Sequence, residues 1–260
     1  MHAAPNDPLG NAEPDDFHSD LLSRALDLPL AALGFDDQTP AADLASGELC
    51  CECDDAALSY RDGRYHLRMS KQLTNRSDRV VTRFLGRVSI DRYPHDPVKS
   101  NAHHRHNPLT VEELDLHAWC GEERMDWEVK HDRDAAKEFW LLFANPSAKF
   151  PLYPGETRWI RYSYAVGELK WGQWFQRAVR LPTRRLSVSL SFPAALDPAV
   201  WGTETSLTMG HLPLVPNIEE HRDGEDIRYR WATDQPCLHS RYRLEWKFRS
   251  PRTVTAKDAE

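Results

Sequence analysis

An alternation of apolar and polar side chains runs through much of the chain between residues 58 and 250. It is clearest at residues 185–192, where Leu, Val and Phe at even positions alternate with Arg and Ser at odd positions. A period of two residues is typical of a strand with one buried and one solvent-facing side. The preceding segment 174–181 also alternates, and Pro182 predicts a bend between two strands. Comparable alternation occurs at residues 65–73, 80–90, 160–166, 227–231 and 242–248.

These segments predict a mainly β protein. About nine or ten strands without intervening long helices favour an antiparallel immunoglobulin-like β-sandwich over a parallel α/β sheet. The sandwich is expected to cover residues 58–250, followed by a disordered tail at 251–260. Residues 1–57 are expected to form an acidic, partly disordered arm with one short helix, because apolar residues at 17–26 recur at helical spacing.

Charge is distributed unevenly along the chain, whose net charge is -7. Residues 1–60 contain thirteen Asp or Glu and one Arg, whereas residues 61–260 contain 32 Lys or Arg and 27 Asp or Glu. The acidic arm is interpreted as a solvated leader, and the alternative is that it competes with a polyanion for basic surface. The arm is too acidic to be a helix-turn-helix, and it contains too few predicted helices.

Cysteine content and hydropathy point to a cytoplasmic protein. No window approaches the roughly 18 consecutive apolar residues of a membrane span, so no membrane contact is expected. Five cysteines, with Cys50, Cys51 and Cys53 close together, do not resemble the framework of a secreted disulfide-rich domain. Reduced thiols are therefore expected. No sequence motif indicates a cofactor.

The most basic segment is a predicted hairpin at residues 64–90, with a turn at 75–78. Its polar faces carry Arg64, Arg68, Arg83 and Arg87. If the two strands pair, these arginines share one surface. This hairpin supports one alternative function, direct nucleic-acid binding, which a steep loss of affinity with salt would reveal.

Histidines support a second alternative, a non-haem iron or zinc enzyme. His103, His104 and His106 lie in a long predicted loop at residues 92–110. His221 and Asp223 have the spacing of a non-haem iron site, for which His239 is the one candidate third ligand. A solvated histidine loop and a hairpin turn at 221–226 are the favoured interpretations, so no metal site is expected.

Three tryptophans are candidates for ligand binding. Trp171 and Trp201 each precede a glycine at a predicted strand end, where a ring can line the rim of a pocket, and Trp174 follows Trp171 closely. Packing in the core is the favoured interpretation of each. No Gly-x-Ser-x-Gly or phosphate-binding loop indicates a particular reaction.

The chain from about residue 92 to 249 resembles the β-rich C-terminal domain of actinobacterial helix-turn-helix transcriptional regulators of the xenobiotic-response-element type. The resemblance implies a non-catalytic, cytoplasmic sensory or protein-interaction module with a regulatory role, whose partner is a protein or a small ligand. Direct DNA binding is not expected, because this chain lacks the DNA-binding helices. The motifs that carry the resemblance are RYP at 92–94, NPLT at 107–110, KHDRDAAKEFWLLF at 130–143, FPLYPGE at 150–156, WGQWFQRAVRLPTRRLSVSLSFP at 171–193 and RYRLEWKFR at 241–249.

Overall fold

The computed structural model describes residues 48–144, 151–206 and 210–250. These residues form fourteen strands, one α-helix and two short 3-10 turns, which confirms the prediction of a mainly β, sandwich-like fold. The helix α1 spans Pro97–His106, and the 3-10 turns span Glu112–Leu114 and Ala194–Leu196. The strands are β1 Leu49–Arg61, β2 Arg64–Asn75, β3 Arg83–Ser89, β4 His117–Cys120, β5 Glu123–Arg133, β6 Ala136–Leu142, β7 Thr157–Gly167, β8 Trp174–Ala178, β9 Thr183–Pro193, β10 Pro198–Ser206, β11 Gly210–Pro213, β12 Glu219–Asp223, β13 Asp226–Asp234 and β14 Arg241–Phe248.

The described strands form two sheets. The larger has ten strands in the order β12-β13-β9-β1-β2-β7-β4-β5-β6-β3, and the smaller has the order β11-β10-β14-β8. The prediction of a purely antiparallel sandwich is wrong at one place, because β1 and β9 pair in parallel. Parallel neighbours need a long connection, and the seven strands between β1 and β9 supply it. The bend at Pro182 carries the chain from β8 in the small sheet to β9 in the large one.

Aromatic side chains fill the space between the two sheets. The ring of Trp246 on β14 lies 5.6 Å from that of Tyr65 on β2 and 5.2 Å from that of Phe192 on β9. Trp231 on β13 lies 5.0 Å from Tyr242 on β14. All five side chains are buried, and burial of each large apolar side chain stabilises the fold by roughly 1.5–3 kcal/mol.

A buried ion triad also joins the sheets. Asp54 on β1 accepts hydrogen bonds from Lys71 Nζ on β2 at 2.5 Å and from Arg177 on β8 at 2.7 and 3.0 Å. Burial alone would raise the pKa of Asp54, but the charges and hydrogen bonds of Arg177 and Lys71 outweigh it and lower the pKa to about 2. The same contact raises the pKa of the Arg177 guanidinium. All three groups are therefore charged in the fold.

The predicted hairpin at residues 64–90 is wrong. β2 pairs with β1 on one side and β7 on the other, so it has no free edge for β3, which pairs with β6 instead. The side chain of Asn75 redirects the chain after β2, because its amide nitrogen donates to the carbonyl oxygens of Arg79 and Leu152 at 2.6 and 2.9 Å. The sequence at 75–78 is a turn, but it sends the chain to the far end of the sheet.

Two further boundaries differ from the predictions. The first strand begins at Leu49, so residues 49–57, assigned to the acidic arm, belong to the sheet. The long loop predicted at 92–110 contains α1, which Asp96 caps by accepting a hydrogen bond from the Lys99 N–H at 2.9 Å. Pro97 occupies the first helical turn, where a missing N–H costs nothing. The predicted helix at 17–26 and tail at 251–260 lie outside the described residues.

Within the described ranges, no helix has the length and apolar character that crossing a membrane requires.

Candidate functional site

The outward face of the large sheet contains a groove, which we call the serine-floored groove. Its floor is two strands wide and consists of small or short side chains of β9 and β1. The walls are longer side chains on the neighbouring strands, Arg228 and Arg230 on β13 and His66 and Arg68 on β2, all of them exposed. The floor residues are Ser187, Ser189 and Ser191 of β9 and Asp55, Ala57 and Ser59 of β1.

Two arginines face each other across this floor. In the sheet register, Arg230 lies beside Ser189, Ser189 beside Ala57, and Ala57 beside Arg68. Three strand spacings separate the two arginines, which places their backbones about 14 Å apart. In the part of the chain that the structure describes, neither guanidinium has a hydrogen bond or an ion pair with another residue. The row therefore presents two free cations above an uncharged floor.

Acidic side chains near the groove already have partners. Asp226 forms an ion pair with Arg61, and Asp55 accepts a hydrogen bond from the hydroxyl of Ser187. Arg228 lies 3.6 Å from Asp223. The ion pairs offset the charges of Asp226 and Asp223, whereas the hydrogen bond from Ser187 does not neutralise Asp55, and Glu219 on β12 lies in register beside Arg230.

The four arginines predicted as one basic surface are divided between two places. Arg64 and Arg68 lie on β2, whereas Arg83 and Arg87 lie on β3 at the opposite edge of the sheet, beyond four other strands. Arg64 donates a hydrogen bond to the carbonyl oxygen of Glu113 at 3.0 Å. Arg83 stacks on Trp140 at 4.3 Å, and Arg87 pairs with Glu138 at 2.6 Å. Of the four, Arg68 alone belongs to the groove walls.

The predicted tryptophan site is assembled in part, on the outward face of the small sheet. Trp174 and Trp201 lie in register on either side of Glu245. Glu245 accepts a hydrogen bond from Trp201 Nε1 at 3.0 Å and pairs with Arg243 at 3.1 Å, and Arg243 stacks on Trp174 at 4.6 Å. Trp171 is 2% exposed and packs in the core. The cluster satisfies its own charges, so it lacks the free cations of the groove.

The three histidines of α1 point in different directions. His103 and His106 line a cavity of about 380 Å³ together with Tyr93 and Lys99. His104 is 2% exposed, and neither ring nitrogen has a hydrogen-bond partner. Burial and the neighbouring His103 lower the pKa of His104, so the ring is neutral near neutral pH. The structure does not bring the three rings together as a ligand set.

The other metal candidates are also separated. His221 and Asp223 lie on the exposed edge strand β12, and His239 lies beyond the opposite end of β13. Across residues 48–144, 151–206 and 210–250, no three His, Cys, Asp or Glu side chains are grouped as metal ligands. In the cysteine cluster, burial raises the pKa of Cys51 to about 12, which keeps it a thiol.

Comparisons with known proteins show distant structural similarity. No protein-family model and no curated protein matches the chain. An M1 zinc metallopeptidase from Deinococcus radiodurans is similar with a TM-score of 0.45 and 11% identity, over 78% of this chain and 43% of that chain. A Legionella pneumophila protein described as nutrient-binding is similar with a TM-score of 0.42 and 9% identity, over 77% of this chain and 68% of that chain. Yeast leukotriene A4 hydrolase is similar with a TM-score of 0.40 and 8% identity, over 84% of this chain and 32% of that chain. The chain thus spans less than half of the metallopeptidase, and similarity at this level assigns no activity or ligand.

Arg68 is a predicted site residue, whereas Arg230 and Ser189 are not. The alternation predicts that Arg230 and Ser189 face solvent on two separate strands, but nothing local to either strand shows that β13, β9, β1 and β2 are neighbours. The sequence does contain a signal for α1, because Asp96 followed by Pro97 is typical of a helix N-terminus.

Proposed function

We propose that this domain is a non-catalytic interaction module that binds an extended acidic polypeptide segment in the serine-floored groove. The observation that carries the proposal is the pair of facing arginines, Arg68 and Arg230, which have no partner among the described residues and lie on either side of the uncharged side chains of Ser189 and Ala57. The regulatory role implied by the sequence resemblance is part of the same proposal.

The dimensions of the groove suit one extended chain. Successive side chains of an extended polypeptide point to opposite sides, so a chain lying along the floor directs acidic side chains to both walls. The floor carries Ser189 and Ala57 rather than long side chains, which lets a backbone approach closely. Serine hydroxyls both donate and accept hydrogen bonds, so they can satisfy peptide N–H and C=O groups. Charge from the walls and hydrogen bonds from the floor therefore favour the same ligand.

The alternative functions are less well supported. Binding of single-stranded nucleic acid relies on aromatic rings that stack with bases, and the outward positions of the four groove strands carry no Phe, Tyr or Trp, with the imidazole of His66 as the one ring there. Trp159 and Trp119 do face outward, but they lie on β7 and β4, outside the groove. A metal-dependent enzyme would need a ligand set, and the described residues assemble none.

Fluorescence anisotropy with labelled octaglutamate tests the proposal. We expect octaglutamate to bind at low ionic strength, with an affinity that falls as salt is added, and octaglutamine not to bind. Arg68→Ala and Arg230→Ala should each weaken binding by up to about 1 kcal/mol, or about fivefold in Kd, because each removes one exposed charge contact.

A distant arginine provides the matched control. Arg83→Ala removes the same charge from β3 and should leave octaglutamate binding unchanged. A loss with Arg83→Ala equal to that with Arg68→Ala would show that net charge, rather than the groove, determines binding. Tighter binding of an oligothymidylate of equal charge than of octaglutamate would overturn the choice of a polypeptide.

A further inference from the structure

The serine-floored groove opens at one end into a polar cavity of about 580 Å³. The cavity begins at the row where Asp234, Arg185, Cys53 and Gln72 lie side by side on the four groove strands. This row follows directly after the row that contains Ser187 and Asp55, on the same outward face. The cavity and the groove are therefore one continuous surface.

The groove reaches the end of the sheet near this row, because β13 ends at Asp234 and β9 begins at Thr183. Gln235 has a φ of +52°, so the chain turns as it leaves β13. Its N–H then donates a hydrogen bond to the carbonyl oxygen of Arg184 at 2.6 Å, which joins the end of β13 to the start of β9. A chain lying in the groove leaves its floor at this row, so a chain that ends in the cavity has the whole length of the floor behind it.

The charges of the cavity select which end. Arg184 and Arg185 are exposed, and among the described residues neither forms an ion pair. Glu52, on the opposite side, is already paired with Arg76 at 3.3 Å. Two free guanidinium groups match the planar geometry of a carboxylate and repel an ammonium group. Asp234, the remaining acid of the lining, lies in register with Arg185, so the lining keeps an excess of one positive charge once Glu52 is paired with Arg76.

The amides of the lining complete the match. Gln72 and Gln235 each offer a carbonyl oxygen and an NH₂ group, which suit the last peptide bond of a bound chain. The thiol of Cys53 is a weak hydrogen-bonding group, and burial and the nearby acids Asp55 and Glu52 raise its pKa, so it stays neutral. A carboxylate followed by a peptide group meets complementary atoms at both positions.

We propose that this cavity binds the C-terminal carboxylate of the acidic segment held in the serine-floored groove. The inference rests on the proposed function, and it sets the direction of the bound chain. Because β1 and β9 are parallel and both run away from the cavity, a segment that ends in the cavity runs antiparallel to both floor strands. The module then recognises a terminus rather than any acidic stretch.

Two N-acetylated octaglutamate peptides, one with a free C-terminal carboxylate and one with a C-terminal amide, test this inference. Amidation removes one charge, so a third peptide with Gln at its first position provides the charge-matched comparison. We expect amidation to weaken binding about tenfold, as a bidentate charge contact is lost. The Gln substitution at the other end should weaken it no more than about threefold, as a single exposed charge does.

Protein variants locate the effect. The double variant Arg184→Gln/Arg185→Gln should bind the acid and the amide equally, whereas Arg222→Gln on β12, outside the cavity, should keep the preference. If the wild-type protein binds the amide as well as the acid and Arg68→Ala still weakens both, the cavity inference is wrong and the groove proposal stands. A preference for the acid that survives in the double variant also overturns the inference. If no octaglutamate peptide binds, the proposed function itself fails.

Discussion

Charged side chains are buried on one face of strands β1 and β2 and exposed on the other. On the inward face, Asp54 and Lys71 are buried and bound to each other and to Arg177. On the outward face, Arg68 is exposed beside Ala57 and has no partner among the described residues. Both arrangements lie within a few residues on the same two strands, so local sequence alone does not account for the difference.

Solvation explains the difference. A charge between the sheets loses its water, and this cost is tolerable only where opposite charges and hydrogen bonds replace it. An exposed guanidinium keeps its water, so leaving it unpaired costs little and pairing it would gain little. The inward charges are therefore expected to matter for stability, and the outward ones for binding. Each prediction below tests this division.

The largest effect is expected for Asp54→Asn. The substitution leaves Lys71 and Arg177 as two uncompensated buried cations, and breaking such a contact costs about 3–5 kcal/mol of unfolding free energy. Urea denaturation at neutral pH measures it. Asp55→Asn, its outward neighbour, is the control and should cost less than about 1 kcal/mol. Equal losses in the two variants would contradict the division between the faces.

The pH dependence of the same triad has a definite sign. The pKa of Asp54 is lowered from 3.8 in the unfolded chain to about 2 in the fold, so its contribution is present above pH 3.8. Protonation removes that contribution as the pH falls toward 2. The wild-type protein should accordingly lose more stability than Asp54→Asn over this interval, as acid titrations of both proteins in urea would show.

The sequence predicts the faces of these strands better than their neighbours. Alternation at 185–192 identified Ser187, Ser189 and Ser191 as solvent-facing, and the structure confirms it. The floor of the groove also requires β1 to lie beside β9, but the excess of Asp and Glu over residues 1–60 predicts that residues 49–57 of β1 belong to the acidic arm. The hydrophobic period places side chains on a face, but pairing between distant strands depends on the whole core.

The tryptophans show the same limit. The sequence places Trp171, Trp174 and Trp201 at strand ends, and core packing was favoured for each. The structure confirms core packing for Trp171, which is 2% exposed, whereas Trp201 is 45% exposed. Glu245, which binds Trp201 and lies beside Trp174, comes from a third strand. Side chains from three separate strands become one cluster only through sheet register, which no single strand specifies.

An intermediate effect is expected for His104, the interior group that lacks the partners of Asp54. Burial and His103 lower its pKa from 6.5, with Lys170 adding to this and Asp91 and Asp134 opposing it. Because the unfolded chain binds a proton more readily, stability falls as the pH drops below 6.5 and continues to fall until the folded pKa is reached. His104→Gln should reduce this loss of stability between neutral pH and the folded pKa.

Urea denaturation of His104→Gln across this pH interval measures the effect. His106→Gln, at an exposed histidine of the same helix, controls for the loss of an imidazole ring from α1. If both variants respond to pH as the wild-type protein does, His104 is not the group that titrates with unfolding. His104 would then bind protons equally in the folded and unfolded states, because only a difference in proton binding makes stability depend on pH.

The smallest effect is expected for the arginines of the groove. Arg68→Ala and Arg230→Ala remove exposed side chains that have no partner among the described residues, so each should change the free energy of unfolding by less than about 0.5 kcal/mol. Lys71→Ala, the inward cation three positions from Arg68, is the matched control and should cost about 1.5–3 kcal/mol, because it removes a buried charged hydrogen bond to Asp54 while Arg177 stays paired with that carboxylate. Equal destabilisation by Arg68→Ala and Lys71→Ala would show that the outward cations stabilise the sheet. The exposed arginines would then be explained by stability, and they would no longer support the groove as a ligand-binding surface.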